Sequence, residues 1–416
     1  MLLLFRLQGL VPVSAVARAS YTLEVAWQAY NTGIFTFDYS TFDGADTLGV
    51  SPFDTTFTGP NDDLSTIFDG ASVSRGRSNT RDTVLAGSSS IDVRDRAGLL
   101  NPENTGSPIY SVLQDRLHPV RLRGTVGGVT YGIYYGWIRR SVWQPGGRKG
   151  TAQLECVDLF WWLERANPVI AATGPTTTGA AMGLVLDAIG WTDPLARALD
   201  TGDIIPDFTA DGTKTALQLI QDLLEAERGV FFIDGDGVAT FRSRLTRVQM
   251  TSVATIVNPA NSLSPGVDFE SVRSRVTVTR TQNAYQAIAL DDTARRKVGF
   301  ADETLETAYL PSDTQADDLA AWLLSQLKLP REPIYETTLD NRSTAFLTQI
   351  MARELVDRIT LTTDRGNVNG DFHIDSLEHR ISRDSHTMRW LLSRATTLVP
   401  LRFDTSLFDG AETFVY

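Results

Sequence analysis

With 416 residues, 42% of them hydrophobic and 21% charged, the chain is long enough for roughly two to four domains with apolar cores, and too apolar to be disordered. A net charge of −12 argues against general nucleic-acid binding, which rests on neutralising phosphates. The lone Cys156 excludes an intramolecular disulfide and a cysteine-based metal site, and its inward strand position marks it as an inert buried thiol. The charge is uneven: −6 over residues 1–70, +5 over 71–165 and −11 over the rest. An acidic wall that lets DNA pass without sticking explains this balance. A solvated surface with no partner explains it equally well. Only Lys149, Lys214, Lys297 and Lys328 are lysines, which reads as coding bias rather than function.

Residues Met1 to Ala19 mimic a secretory signal, but no basic residue precedes the apolar run and Arg6 interrupts it. The expectation is an N-terminal extension over 1–18, or a first strand. No later apolar run is long enough to cross a bilayer as a helix. Tyr21 to Trp27 alternates as a strand. A Phe-Asp-Gly element then recurs. Phe37 to Thr47 matches Phe403 to Thr413 at eight of eleven positions, with partial copies at Phe53 to Phe57 and Phe68 to Ala71. Each copy is read either as a docking element or as a turn-rich connector.

The stretch Ile91 to Arg165 organises the chain. A short strand, Ile91 to Arg94, runs into a loop rich in Gly, Asn and Pro, from Asp95 to Pro108. A hairpin follows, turning at Gly127-Gly128. Val120, Leu122 and Val126 face one way on its first arm, and Val129, Tyr131, Ile133, Tyr135 and Trp137 on its second. Gly132 and Gly136 on the other face predict a bulge or close packing. After a second turn, Ala152, Leu154 and Cys156 face inward, and Asp158 is placed as the N-cap of a helix from Leu159 to Arg165. Four of the eight tryptophans lie here (Trp137, Trp143, Trp161 and Trp162), which marks a core.

Beyond Asn167-Pro168 and the Gly174 to Gly179 boundary, helices are predicted over Ala180 to Ile189 and from Ala216 to a stop at Gly229. Val230 to Ile233 and Val238 to Arg242 form a hairpin around Asp234-Gly235-Asp236-Gly237. Arg275 to Arg280 alternates as a strand. Ser312 to Gln315 reads as a capping box for a helix over Ala316 to Leu327, stopped at Pro330. Phe372 to Ile381 and Thr387 to Leu392 make a late hairpin.

Several of these runs carry a resemblance. Asp92-Val93-Arg94-Asp95-Arg96 with Gly98, Asn101-Pro102, Asn104 and Ser107-Pro108 resembles the signature of bacteriophage minor tail proteins, which are similar to the baseplate or tail-tip hub of long-tailed phages. So do Ser72 to Ser78 with its Arg75-Gly76-Arg77, Pro119 to Arg123, Gly136-Trp137-Ile138, Cys156-Val157-Asp158, and the helix–hairpin through Asp236. Leu100 stands where that family more often has an aromatic residue. The resemblance covers roughly residues 20–400. It implies an α+β, mainly β fold with two antiparallel β-barrel-like tube domains, at 19–165 and 266–400, around a middle α/β region at 166–265, with 401–416 a tail. It further implies a homotrimer at the distal end of the virion tail, joining a sixfold tube to a threefold tip. Its neighbours would be a tail-tube or distal tail protein, the tape-measure protein and tip, spike or fibre proteins. DNA would pass through its lumen during ejection, unbound. The alternative is a receptor- or carbohydrate-binding tail-tip protein, which would place Tyr134 and Trp143 on an open groove.

No catalytic, cofactor or metal residue is assigned. From Asp234, the twelfth position of a calcium loop is Leu245, which offers no oxygen, so a hairpin turn is preferred. His373, His379 and His386, near Asp375 and Glu378, are read as surface histidines rather than a metal site. Phosphate-loop, zinc-protease and serine-hydrolase patterns are absent, and an enzyme is not expected. Asn341-Arg342-Ser343 is a glycosylation sequon without meaning in a phage context.

Overall fold

The computed structural model describes residues 16–27, 57–77, 85–114, 117–146, 150–259, 269–328, 335–364 and 368–395. The Phe-Asp-Gly copies at 37–47 and 403–413, and Pro330, lie outside these residues. The fold is α+β and mainly β. Its largest sheet has eleven strands, and among the described residues no sheet closes on itself through paired strands.

The N-terminal strands follow the alternation expected of them. Ser20–Val25 pairs with His118–Val126, which forms the hairpin with Val129–Gln144. Thr151–Val157, Leu85–Val93 and Phe68–Gly76 continue the sheet in that order. Gly127 and Gly128 both take positive φ, 59° and 82°, as a type I′ turn requires. Inside lies an apolar core of Leu23, Val25, Val73, Ile91, Val120, Leu122, Leu154 and Cys156.

One expectation fails on the second arm of the hairpin. The pairing shifts between Leu122 and Arg123, leaving Ile133 as an extra residue. The bulge turns Tyr134 inward beside Ile133, and Tyr135 and Trp137 then pack into a second core. Next to the bulge, Gly132 leaves room for a close approach. A Cβ on it would stand 2.2 Å from Asp236 Oδ1 and 2.7 Å from the Gly235 carbonyl carbon. The turn at 234–237 is pressed flat against this strand.

The second core joins the middle of the chain to its last strands. It contains Met182 and Val185 of helix Thr178–Ala188, Leu219 and Leu223 of helix Ala216–Glu227, and Phe231 and Phe241 of the short hairpin. It also contains Ile359, Phe372 and Trp390 of the final strands. Thr215 caps the second helix through a full capping box with Gln218. The helix ends at Arg228, left-handed with φ 58°, rather than at Gly229. Gly229 is needed for space: a Cβ there would meet the Arg242 carbonyl at 2.6 Å.

The last hairpin, Asn369–Ile381 and His386–Arg394, extends the large sheet through Phe68–Gly76. Tyr335–Asp340, Arg358–Thr362 and Ala254–Val257 complete it, the last two in parallel. None of these three was read from the sequence. Nor was helix Thr344–Ala352, whose N-cap is Ser343 of the supposed sequon. A separate three-stranded sheet sets Arg275–Arg280 between Tyr285–Leu290 and Asp302–Thr307. Helix Asp313–Leu327, capped by Ser312 onto the Gln315 amide, covers one of its faces.

Candidate assembly site: the signature loop and the arginine junction

The residues that carry the sequence resemblance bind the chain to itself. Asp95 accepts hydrogen bonds from the Leu99 and Leu100 amides, both at 2.8 Å, and is almost wholly buried. Asn104 donates to the Gly98 carbonyl at 2.8 Å, and Ser107 Oγ to the Leu99 carbonyl at 2.7 Å. Trp143 donates from its indole to the Asp95 carbonyl at 3.4 Å. Gly98 takes φ 68°, which an L side chain resists. Leu100, with no aromatic ring, is fully buried in the first core. The turns of the loop are thus held largely by its own side chains.

Asp158 sits two residues before the Phe160–Leu163 helix rather than at its N-cap, which is Leu159. Its carboxylate still accepts from the Phe160 amide at 3.0 Å, and from the Gly87 amide at 2.6 Å. Burial pushes its pKa up to about 7 against the pull of those amides and of Arg75.

The arginines of the Arg75-Gly76-Arg77 run form the junction between distant parts. Arg75 donates to the Ile233 carbonyl at 3.1 Å and to Glu354 at 2.8 Å. Glu354 also accepts from the Gly235 amide at 3.0 Å. Arg77 pairs with Asp375, with Nε donating to Oδ1 at 2.9 Å. Gly76, at φ 113°, allows the strands to touch: a Cβ there would lie 2.3 Å from the Asp375 carbonyl. The half-buried Arg75–Glu354 pair, with the Arg75 bond to the Ile233 carbonyl, and the buried Arg77–Asp375 pair therefore clamp an N-terminal strand to the middle hairpin and to the last hairpin. Buried pairs of this kind fix geometry more reliably than they add stability.

The histidines are not on the surface, which corrects the sequence expectation. His373, His379 and His386 are all buried. His373 Nδ1 lies 3.0 Å from the Val356 carbonyl, and burial pulls its pKa down to about 4. Tyr21 Oη lies 2.9 Å from His386 Nδ1, and His386 Nε2 lies 3.0 Å from His379 Nδ1. Burial holds His386 at about 3 and His379 well below the usual range, with His386 a further cause for His379. Strand parity gave no warning, because the turn at 382–385 brings His386 opposite Ile381 and back towards His379.

The other residues weighed on the sequence take structural places. Asp234 accepts from the Asp236 and Val238 amides at 3.0 and 2.8 Å, as a hairpin turn does, and burial raises it to about 6. Cys156 is buried and its thiol is pushed up by burial. Tyr134 is fully buried, and Trp143 leans on the first core, so the open aromatic groove of the binding-protein reading is not formed by them. Asn341 donates to the Ala17 and Asp384 carbonyls at 2.9 and 3.2 Å. The described copy of the Phe-Asp-Gly element is part of a strand: Phe68 packs 5.7 Å from Tyr21, ring to ring, and Asp69 pairs with Arg94.

No protein-family model matches the chain, and no curated protein matches its sequence. Solved structures do match its fold. A tail protein from Neisseria meningitidis MC58 aligns with a TM-score of 0.56 at 11% identity, over 90% of this chain and 96% of its own. The 43 kDa tail protein of prophage MuSo2 from Shewanella oneidensis aligns with a TM-score of 0.56 at 10% identity, over 91% and 99%. The chain has the fold of phage tail proteins across nearly its whole length.

Proposed function

We propose that the chain is a structural protein of the distal phage tail, a baseplate or tail-tip hub that links the tail tube to the tip. The observation that carries this reading is the fold match with two tail proteins over 90% and 91% of the chain. The self-bonded signature loop and the clamped junction support it, since a connector must transmit load without yielding. In this reading the chain is a homotrimer. Residues 19–165 and 266–400 each supply a barrel-like unit, so three copies present six similar units to a sixfold tube.

Closure of the first unit has local support. The segment just before Phe68–Gly76 lies along Ser20–Val25, with the Val25 amide donating to the Asp62 carbonyl and the Leu64 amide to the Leu23 carbonyl, both at 2.8 Å. The six N-terminal strands thereby wrap one core. The acidic net charge suits a lumen through which DNA and the tape-measure protein leave without sticking.

The test is localisation and stoichiometry on purified tails. A tagged copy should appear at the distal end only, at three per tail. A label along the tube or at the head-proximal end, or six copies per tail, overturns the proposal.

A further inference from the structure

Both outer strands of the three-stranded sheet, Tyr285–Leu290 and Asp302–Thr307, have an unpaired edge among the described residues. Tyr285–Leu290 pairs with Arg275–Arg280 and, among the described residues, with nothing on its other side. The Asp291 amide points inward to the Ser274 carbonyl. By antiparallel alternation, the amides of Leu290, Ile288 and Gln286 point out of the open edge. Natural proteins protect such edges with charge, bulges or a covering segment. This one instead exposes apolar side chains on the face away from helix Asp313–Leu327: Ile288 is 48% and Leu290 62% exposed. Phe300 is 82% exposed and lies at the same end of the sheet, because Ala301 bonds to Ser274.

The rim of this patch is basic. Helix Asp292–Val298 carries Arg295, Arg296 and Lys297 side by side and exposed, and none makes an ion pair among the described residues. Arg295 lies over the Phe300 ring at 4.2 Å. Three unpaired cations beside exposed Ile, Leu and Phe are unusual in a chain of net charge −12.

The sequence holds a segment of the complementary kind. Phe403-Asp404-Thr405-Ser406-Leu407-Phe408-Asp409-Gly410-Ala411-Glu412-Thr413 has three acids, three large apolar residues and no base. Phe403, Thr405 and Leu407 share one face of a strand by alternation. The described copy of the element shows how such a sequence sits in this protein. In the copy at Phe68-Asp69-Gly70-Ala71 the chain runs as a strand inside a sheet, the phenylalanine against an apolar neighbour and the aspartate on an arginine.

We propose that the segment Phe403 to Glu412 docks as an added strand on the open edge of Tyr285–Leu290. Phe403 and Leu407 lie against Ile288 and Leu290; past the paired residues, where the alternation no longer holds the chain, Phe408 reaches towards Phe300, and Asp409 and Glu412 meet Arg295, Arg296 and Lys297. This is strand addition, in which main-chain hydrogen bonds supply affinity and side chains supply register. The assignment is independent of where the protein sits in a tail.

The test is hydrogen exchange on the full-length protein. The Gln286, Ile288 and Leu290 amides should exchange at least about tenfold slower in the wild type than in Phe403→Ala/Phe408→Ala. Arg295→Glu/Arg296→Glu/Lys297→Glu should lose the same protection. Adding Asp409→Lys/Glu412→Lys to that triple variant should restore it. All the changed basic and apolar positions are exposed or outside the described core, so an unchanged thermal transition verifies folding. Protection that fades on dilution places the segment on a second copy, and constant protection places it on its own chain; both support the proposal. Equal exchange in the wild type and Phe403→Ala/Phe408→Ala overturns it. So does protection that responds to the basic residues but not to the C-terminal ones, which would mean a different acidic partner.

Discussion

The signature loop and the last hairpin both set polar groups against an apolar core, and they do so in opposite ways. In the loop, Asp95, Asn104 and Ser107 find their partners within eight residues of themselves. Around the hairpin several partners are hundreds of residues away. Tyr21 and His386 are 365 apart in sequence, Arg77 and Asp375 298, and Arg75 and Glu354 279. The loop is a local solution to backbone satisfaction, and a motif can announce it. The hairpin is a junction, and its histidines, arginines and carboxylates mean little until the chain has folded. Cutting the local network leaves neutral backbone amides without a partner. A long-range buried one leaves a charge stranded.

The largest effect should therefore come from the junction. Arg77→Ala removes the guanidinium that pairs the buried Asp375 carboxylate and should cost about 3–5 kcal/mol in denaturant unfolding. A loss below about 1 kcal/mol would mean that the pair is solvated and the contrast false. Replacing both by a well-packed apolar pair should recover most of the loss.

Next comes the contact between the strand bulge and the middle hairpin. Gly132→Ala drives a methyl group into Asp236 and the Gly235 backbone, and should cost about 1–3 kcal/mol. Faster amide exchange confined to residues 234–238 and 131–135 would localise it. An unaffected turn would show that the close approach is not needed.

The buried histidines predict an acid response of defined sign. Their folded pKa values lie below the ordinary value of 6.5, at about 4 for His373 and about 3 for His386. The unfolded chain binds more protons through this interval, so their contribution is complete above pH 6.5 and is lost as pH falls towards 3. Each ring adds a slope of up to about 1.4 kcal/mol per pH unit. Asp158 and Asp234, raised by burial to about 7 and about 6, work in the opposite sense, losing stability as pH rises through that range. The histidine share is therefore read as a difference. His379→Gln/His386→Gln should flatten the stability–pH curve between 3 and 6.5 relative to wild type. Parallel curves would contradict the buried neutral chain.

In the loop, Asp95→Ala should cost only about 1–2 kcal/mol, the range of a lost cap. A loss as large as that at Arg77 would erase the distinction between local and long-range networks. Smallest of all, removing residues 1–17 should leave the fold intact. It forfeits the bonds between Ala17 and Asn341, about 1 kcal/mol between them. An insoluble product would put those residues in the core.

The sequence by itself determined the strands with strict alternation, the Gly127-Gly128 turn, the helix that starts at Ala216, the helix capped at Ser312, and the turn chemistry of Asp95 and Asp234. All are properties of a few consecutive residues: a period, a positive φ, a carboxylate two to five positions from the amide it accepts. Tertiary structure decided the rest. It moved Tyr134 inward through a bulge beside the turn at 234–237, and it drew His379 and His386 to Tyr21. It also joined the strands on either side of the middle region into one sheet across Phe68–Gly76. Those outcomes depend on which surface arrives opposite a residue. Hydrophobic periodicity encodes that a face is buried, not what it is buried against.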